Sequence, residues 1–297
     1  MTQPSSRYVY IFPLTFAFIW GLTFVWSKGI LEVYTPITMI FVRMALGSLF
    51  LYVFSKLAKK LQPIQRKDWG LMLLTAFFEP FLYFIGESYG LLHASATFAG
   101  VIIALIPLIA PLALWVVYGI RTNLSVILGL VVSFGGILYM LLGRNFELTV
   151  DIKGVLFLSM AVLSAVCYLL CIQKMAQKYN NFTIVTYQTV LGAIMFLPLF
   201  LGLEWQEFRS IPFDWSIYKD LTMLAIFGSG VAFICFVESI RKIGAVRTQL
   251  FSNAIPIVTA IAAYFLLGEI FTSQKIVGIC VVILGLFISQ VKWRKGS

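Results

Sequence analysis

One histidine and four cysteines are all that 297 residues offer as good metal ligands or reactive thiols. Acids are nearly as scarce, at 12. Hydrolytic or metal-dependent catalysis needs a nucleophile beside a base, or several ligands converging on one ion. His93 lies in a turn between apolar runs, and Ser229 stands between Gly228 and Gly230 with no evident base. Cys167, Cys171, Cys235 and Cys280 fall inside apolar runs, where thiols pack as small hydrophobes. No enzymatic activity, metal centre or cofactor is expected from this inventory, and the lack of an ATP-binding motif excludes an ATP-driven machine. Charge is in short supply as well. With 11% of residues charged, 61% hydrophobic and a mean hydropathy of +0.96, a soluble globular domain is excluded.

What remains is a succession of apolar runs. A helix needs ~20 apolar residues to cross the hydrocarbon. Ten runs meet that need, at roughly 8–28, 35–55, 69–90, 95–118, 124–143, 154–173, 183–203, 217–239, 246–267 and 274–291. Connections are short, so no separate soluble domain is expected. The first run is too long for a signal peptide, and Ser27-Lys28-Gly29 is no small-residue cleavage pattern. The formal charge of +10 would suit a nucleic-acid binder, but its placement does not. With the N-terminus inside, the inner segments collect Arg7, Lys56, Lys59, Lys60, Arg66, Lys67, Arg121, Lys174, Lys178, Arg241, Lys242, Arg247, Lys292, Arg294 and Lys295 against the single acid Asp68. The outer connections hold most of the acids. This positive-inside bias predicts a multi-pass protein of the plasma (inner) membrane, its two termini cytoplasmic, in contact with lipid and not with nucleic acid.

The chain also repeats itself. A shift of 149 residues lays Ala96 to Gly136 on Ala245 to Gly285 without a gap: Ile106-Pro107 falls on Ile255-Pro256, Gly119 on Gly268, Gly129 on Gly278 and Gly136 on Gly285. Glycine and proline weigh more here than apolar matches, because they fix backbone behaviour. Five runs fit one period, and five is odd, so the second copy must cross the membrane in the opposite sense. The expected architecture is an all-α membrane protein of ten helices, built as two inverted five-helix repeats at 1–148 and 149–297.

Polar residues inside the runs are the candidates for function. Arg43 lies about eight residues, or ~12 Å, from the outer end of the second run, where a guanidinium needs a cavity or a partner. A clamp on neighbouring carbonyls is the structural alternative. Glu79-Pro80 falls near the bilayer midplane, and Pro80 opens the helix locally. Glu87 follows two turns later, either as a second proton-coupling carboxyl or as a solvated acid at a helix end. Trp20 and Phe24 could line a cavity with Tyr83 and Tyr168. Trp26 and Lys28 read equally well as interfacial anchors. Pro107 and Pro256 interrupt equivalent runs of the two copies, which points to the binding site, and Asn253 places an amide beside the second of them. Aligning Gly47 with Gly192 puts Gln188 at the position of Arg43, and Tyr168 falls where Phe24 does. His93 reads as a solvated loop residue or a pH sensor. Glu238 is placed to pair with Arg241 and Lys242, and the acidic outer loop from Glu204 to Asp220 reads as solvated charge.

In order and spacing, Trp20-Gly21, Lys28, Pro36, Arg43, Ala96 to Pro107, Gly244-Ala245 to Pro256 and Leu267-Gly268-Glu269 resemble the drug/metabolite transporter superfamily, in particular its ten-span EamA (RhaT-like) members. The match covers essentially the whole chain. The resemblance implies a ten-helix fold with cytoplasmic termini, a central cavity between the repeats, and export or sometimes uptake of small organic metabolites such as amino acids. Two departures stand out. The first copy has Gly119-Ile120-Arg121 where the family has Gly-Glu, and the second has Ser164-Ala165 and no lysine where the first has Trp20-Gly21 and Lys28. Symmetrical roles for the halves are therefore not expected.

The resulting expectation is a secondary transporter, most simply an exporter, whose halves rock around a midplane pocket of Trp20, Phe24, Arg43, Glu79, Tyr83, Tyr168, Gln188 and Asn253. Pro80, Pro107 and Pro256 would serve as its kinks. Arg43 would meet a carboxylate and Glu79 an ammonium or a coupling proton, which suits a zwitterion or an amphipathic drug-like solute. A passive channel or facilitator, or a lipid scramblase, is the competing reading.

Overall fold

Apolar stretches that must satisfy their own amides in lipid can do so only as helices or closed barrels. The computed structural model describes residues 7–119, 124–141 and 151–290, and every element among them is helical. Ile120, Arg121, Lys292, Arg294 and Lys295, used above to argue divergence and orientation, lie outside the described residues. In chain order the helices are α1 (Ile11–Ile30), α2 (Pro36–Leu57), α3 (Arg66–His93), α4 (Ala96–Tyr118), α5 (Leu124–Leu141), α6 (Ile152–Lys178), α7 (Asn181–Ser210), α8 (Trp215–Ile243), α9 (Arg247–Leu267) and α10 (Ser273–Gln290). Each apolar run thus finds a helix. Eight are long and apolar enough to cross a membrane. The exceptions, α5 and α10, are apolar but shorter: 18 residues rise about 27 Å, just under the ~30 Å of hydrocarbon.

Helix ends follow the local chemistry. Ser95, Asp151, Asn180 and Asp214 cap starts by accepting from amides two or three residues on. Gly119 and Gly268, equivalent in the repeat, end α4 and α9 in the left-handed region at φ 67° and 63°, where a side chain is strained.

Several helices are interrupted. The first half of α4 stops at Ile103, and a new segment begins at Ile106-Pro107. In α9 the change comes at Ser252–Ala254, before Ile255-Pro256. Each proline therefore sits in the first turn of a fresh segment, where its missing N–H costs nothing. It does not bend a continuous helix. In α3 the backbone leaves helical values at Glu79 (φ −145°, ψ 115°), within a widened turn over Phe77–Leu82 that holds Pro80. α8 widens over Leu224–Val231, around Gly228-Ser229-Gly230.

Packing between the two copies is reciprocal. A β-carbon at Gly129 would stand 2.5 Å from the Gly285 carbonyl oxygen, and one at Gly285 would stand 2.6 Å from that of Gly129. Gly136 and Gly278 oppose each other in the same way, so α5 and α10 run antiparallel. Midway, the Ser133 hydroxyl donates to the carbonyl of Val282, its own counterpart after the 149-residue shift (3.1 Å). In α2 and α7, Gly47 faces Thr189 while Gly192 faces Met44. Trp20 of α1 donates to the Gly228 carbonyl in the widened turn of α8 (3.3 Å). Its counterpart Ser164 of α6 donates to the Phe78 carbonyl in the widened turn of α3 (2.6 Å). Contacts in which i meets j′ and j meets i′ are the product of a two-fold relation.

Candidate functional site

Between α1, α2, α3, α4, α6, α8 and α9 lies a cavity of about 50 Å³, space for only a few waters. The wall is mostly aromatic: Trp20 and Phe24 from α1, Tyr83 and Phe84 from α3, Tyr168 from α6, Phe233 and Phe236 from α8. Trp20 is wedged edge-on against Phe233, with Phe236 tilted beside it, both at 5.0 Å between centroids. Its indole N–H is taken by the Gly228 carbonyl, so the ring is fixed in place.

Three ionisable side chains enter this apolar wall, all of them buried: Arg43, Glu79 and Glu87. Arg43 Nε donates to the Ser229 hydroxyl at 2.7 Å, and its guanidinium lies 4.0 Å from the centroid of the Phe84 ring. Gly228 makes room for that reach. A β-carbon there would stand 2.8 Å from the Thr23 methyl and 3.3 Å from Arg43 Nη2. Ser229, which the sequence left without a partner, is thus the anchor of the arginine. Neither Glu79 nor Glu87 makes a hydrogen bond or ion pair with the described residues. Buried carboxyls that feel the Arg43 charge but make no hydrogen bond, and that face a cavity, are costly to the fold and available to a ligand or a proton.

Six of the eight predicted pocket residues line the cavity together: Trp20, Phe24, Arg43, Glu79, Tyr83 and Tyr168. Two do not. Gln188 sits behind the wall, accepting from the Tyr168 hydroxyl at 3.2 Å. Asn253 points elsewhere, its amide oxygen and nitrogen both buried without partners. Glu87, read as near the surface, is buried in the wall. Sequence reasoning missed Thr23, Phe84, Phe233, Phe236, Gln249 and Ser252. Ser252 donates to Gln249 Oε1 at 3.2 Å. The signal for these two was available: they are polar residues one helical turn apart, close before Pro256. His93 ends α3 and is partly exposed. It pairs with Asp151 at 2.8 Å, joining the end of α3 to the start of α6. Lys28 is half-buried, and its ammonium donates to the Leu91 and Ala94 carbonyls. Glu238 does pair with Arg241 and Lys242. Among the described residues no group of three or more His, Cys, Asp or Glu is placed to hold a metal.

Known proteins with this sequence pattern are transporters by name. A profile of the EamA-like transporter family matches residues 7–142 and again 152–290. An "Uncharacterized transporter" of Archaeoglobus fulgidus is 26% identical over 278 residues, covering 94% of this chain and 96% of that one. The "Uncharacterized transporter YcxC" of Bacillus subtilis is 23% identical over 310 residues, covering 99% and 96%. A solved crystal structure superposes with a TM-score of 0.72 at 17% identity, covering 96% of this chain and 99% of the other, a likeness of fold alone.

Proposed function

Because this chain belongs to the EamA-like transporter family, we propose that it is a secondary transporter that exports a small organic solute, such as an amino acid or an amphipathic drug-like molecule, by alternating access. The reading takes all ten helices as membrane spans in two inverted units. It rests on one observation above all: a contracted cavity walled by both repeats, aromatic on its sides and bearing two unpaired carboxyls beside a tethered guanidinium. At about 50 Å³ the space is too small for a metabolite, so the walls must part before a solute fits. That suits the occluded stage of a carrier better than a standing pore. Aromatic faces favour a flat or apolar body, and the free carboxyls favour an ammonium end. Arg43 keeps its Nη groups for a carboxylate, since only Nε is spent on Ser229.

The first experiment is a comparison of metabolites in medium from cells with and without the gene, which names the solute. Counterflow in proteoliposomes then tests the mechanism, because a carrier accelerates labelled exchange when unlabelled solute waits on the far side and a pore does not. Glu79→Gln is expected to abolish transport driven by a pH gradient while leaving the protein folded. Unchanged pH-driven uptake by that variant would remove Glu79 from the mechanism.

A further inference from the structure

Two charged residues, Lys28 and Glu269, each without a charged counterpart in the other repeat, meet at one place. Lys28, near the end of α1, donates to the Leu91 carbonyl at 2.5 Å and the Ala94 carbonyl at 3.0 Å, at the C-terminus of α3. Glu269, just past α9, accepts with Oε1 from the Ala96 amide at 2.8 Å and the Thr97 amide at 3.4 Å, at the N-terminus of α4. A cation thus meets the negative end of one helix dipole and an anion the positive end of the next. Both charges come from the α1–α9 side, and both grip the α3–α4 turn on the opposite side. Beyond the turn is an open cleft of about 490 Å³ that Lys28, Glu32, His93, Asp151, Glu269 and Lys275 line. Beneath it α4 and α9 close tightly, a β-carbon at Gly100 standing 3.1 Å from Thr259 Oγ1. One turn further in, Ile103 belongs to the cavity wall. The grip therefore stands between the cleft and the cavity, on the face that the charge distribution places outside.

In sequence, the repeat gives the other face no charged counterpart. The repeat carries Lys28 onto Ile172 and Glu269 onto Ile120, both apolar. It carries Gly100 onto Gln249, which lines the cavity instead of closing over it. We propose that Lys28 and Glu269 are gating residues: a charged latch that holds the outer gate shut, unmatched on the inner face, so that the resting protein is closed outward. The proposal rests on the alternating-access reading given above. Solute leaves outward only when both grips on the α3–α4 turn release. His93–Asp151 belongs to neither grip, because it joins two helices on the same side of the gate.

Ser27, fully buried beside Lys28 with its hydroxyl unpartnered, reports on the gate. With Cys167, Cys171, Cys235 and Cys280 replaced by serine, Ser27→Cys is labelled with a membrane-impermeant maleimide from the outer side of whole cells. Labelling is expected to be slow with the latch intact, about tenfold faster in Lys28→Met and in Glu269→Gln, and slow again in Lys28→Arg. Labelling that stays slow in both latch variants, with the proteins monodisperse in detergent, overturns the latch. If one variant misfolds, the other decides. A Gln249→Cys reporter on the inner side separates the two ideas. Its labelling should fall as that of Ser27→Cys rises, and faster Ser27→Cys labelling with no fall at Gln249→Cys would keep the latch but sink alternating access.

Discussion

Glu204 gathers three donors on one carboxylate oxygen: the Thr35 hydroxyl, the Thr38 amide at 2.5 Å and the Thr38 hydroxyl at 2.8 Å. α7 also widens, over Phe200–Glu204, and Glu204 ends that turn, yet it caps α2 in the other repeat. An anion at a helix start satisfies amides that have no partner within the helix and favours the dipole. Glu204→Ala should therefore destabilise the protein by about 2 kcal/mol, read as a lower midpoint of thermal unfolding in detergent. Glu204→Gln should lose less, and an unshifted midpoint in both would show that the cap contributes nothing. This residue also marks a limit of reading sequence. An acid in a connection reads as solvated because nothing local names a partner 166 positions away. Arg43 and Glu79 were legible for the opposite reason: an ionised group inside an apolar run is anomalous whatever surrounds it. Phe84 and Phe233 were not, since one aromatic ring among 27 phenylalanines looks like any other.

At the scale of the helix, spacing was informative wherever it fixed the backbone. The equivalent prolines located the breaks in α4 and α9, but their role as first-turn residues depends on where the preceding segment ends, and no local rule sets that end. The break in α8 has no proline at all and was invisible. The glycines of α5 make a sharper case. Gly135 and Gly136 are neighbours in sequence and opposites in surroundings. A β-carbon at Gly135 meets nothing within 4 Å, whereas one at Gly136 stands 2.9 Å from the Gly278 carbonyl oxygen and 3.0 Å from the Val282 amide nitrogen. Backbone cannot yield as a flexible side chain can. Gly136→Ala should part α5 from α10 and lower the yield of monodisperse protein in fluorescence-detected size exclusion. Gly135→Ala should leave that yield unchanged or raise stability by up to ~1 kcal/mol through helix propensity. Equal behaviour of the two variants would mean that the α5–α10 seam is not held by this close approach.

For the whole molecule, the contacts argue against each repeat moving as one body. α3 of the first copy lies along α6 of the second, with a β-carbon at Gly86 standing 2.8 Å from the Ala161 amide nitrogen. That pair is fastened at both ends, by His93–Asp151 at 2.8 Å and by Asp68 accepting from Lys178 at 2.5 Å and from the Tyr179 hydroxyl at 2.8 Å. α1 lies against α8 and α9, through Trp20 to Gly228 and through the Thr259 hydroxyl to the Gly21 carbonyl at 3.0 Å. Under the alternating-access proposal the moving bodies would be α3, α4 and α6 on one side and α1, α8 and α9 on the other, each drawn from both repeats and exchanged by the two-fold relation. Two cross-links separate this from rocking of intact repeats. Gly100→Cys with Thr259→Cys bridges the bodies where the β-carbons would be 3.2 Å apart, and His93→Cys with Gly154→Cys joins α3 to α6 where they would be 3.1 Å apart. Both distances are within a few tenths of an ångström of those in a disulfide. Oxidation should stop counterflow in the first variant, with recovery on reduction, and leave it unchanged in the second. If the repeats rocked whole, both bridges would cross the moving interface, and both would stop transport.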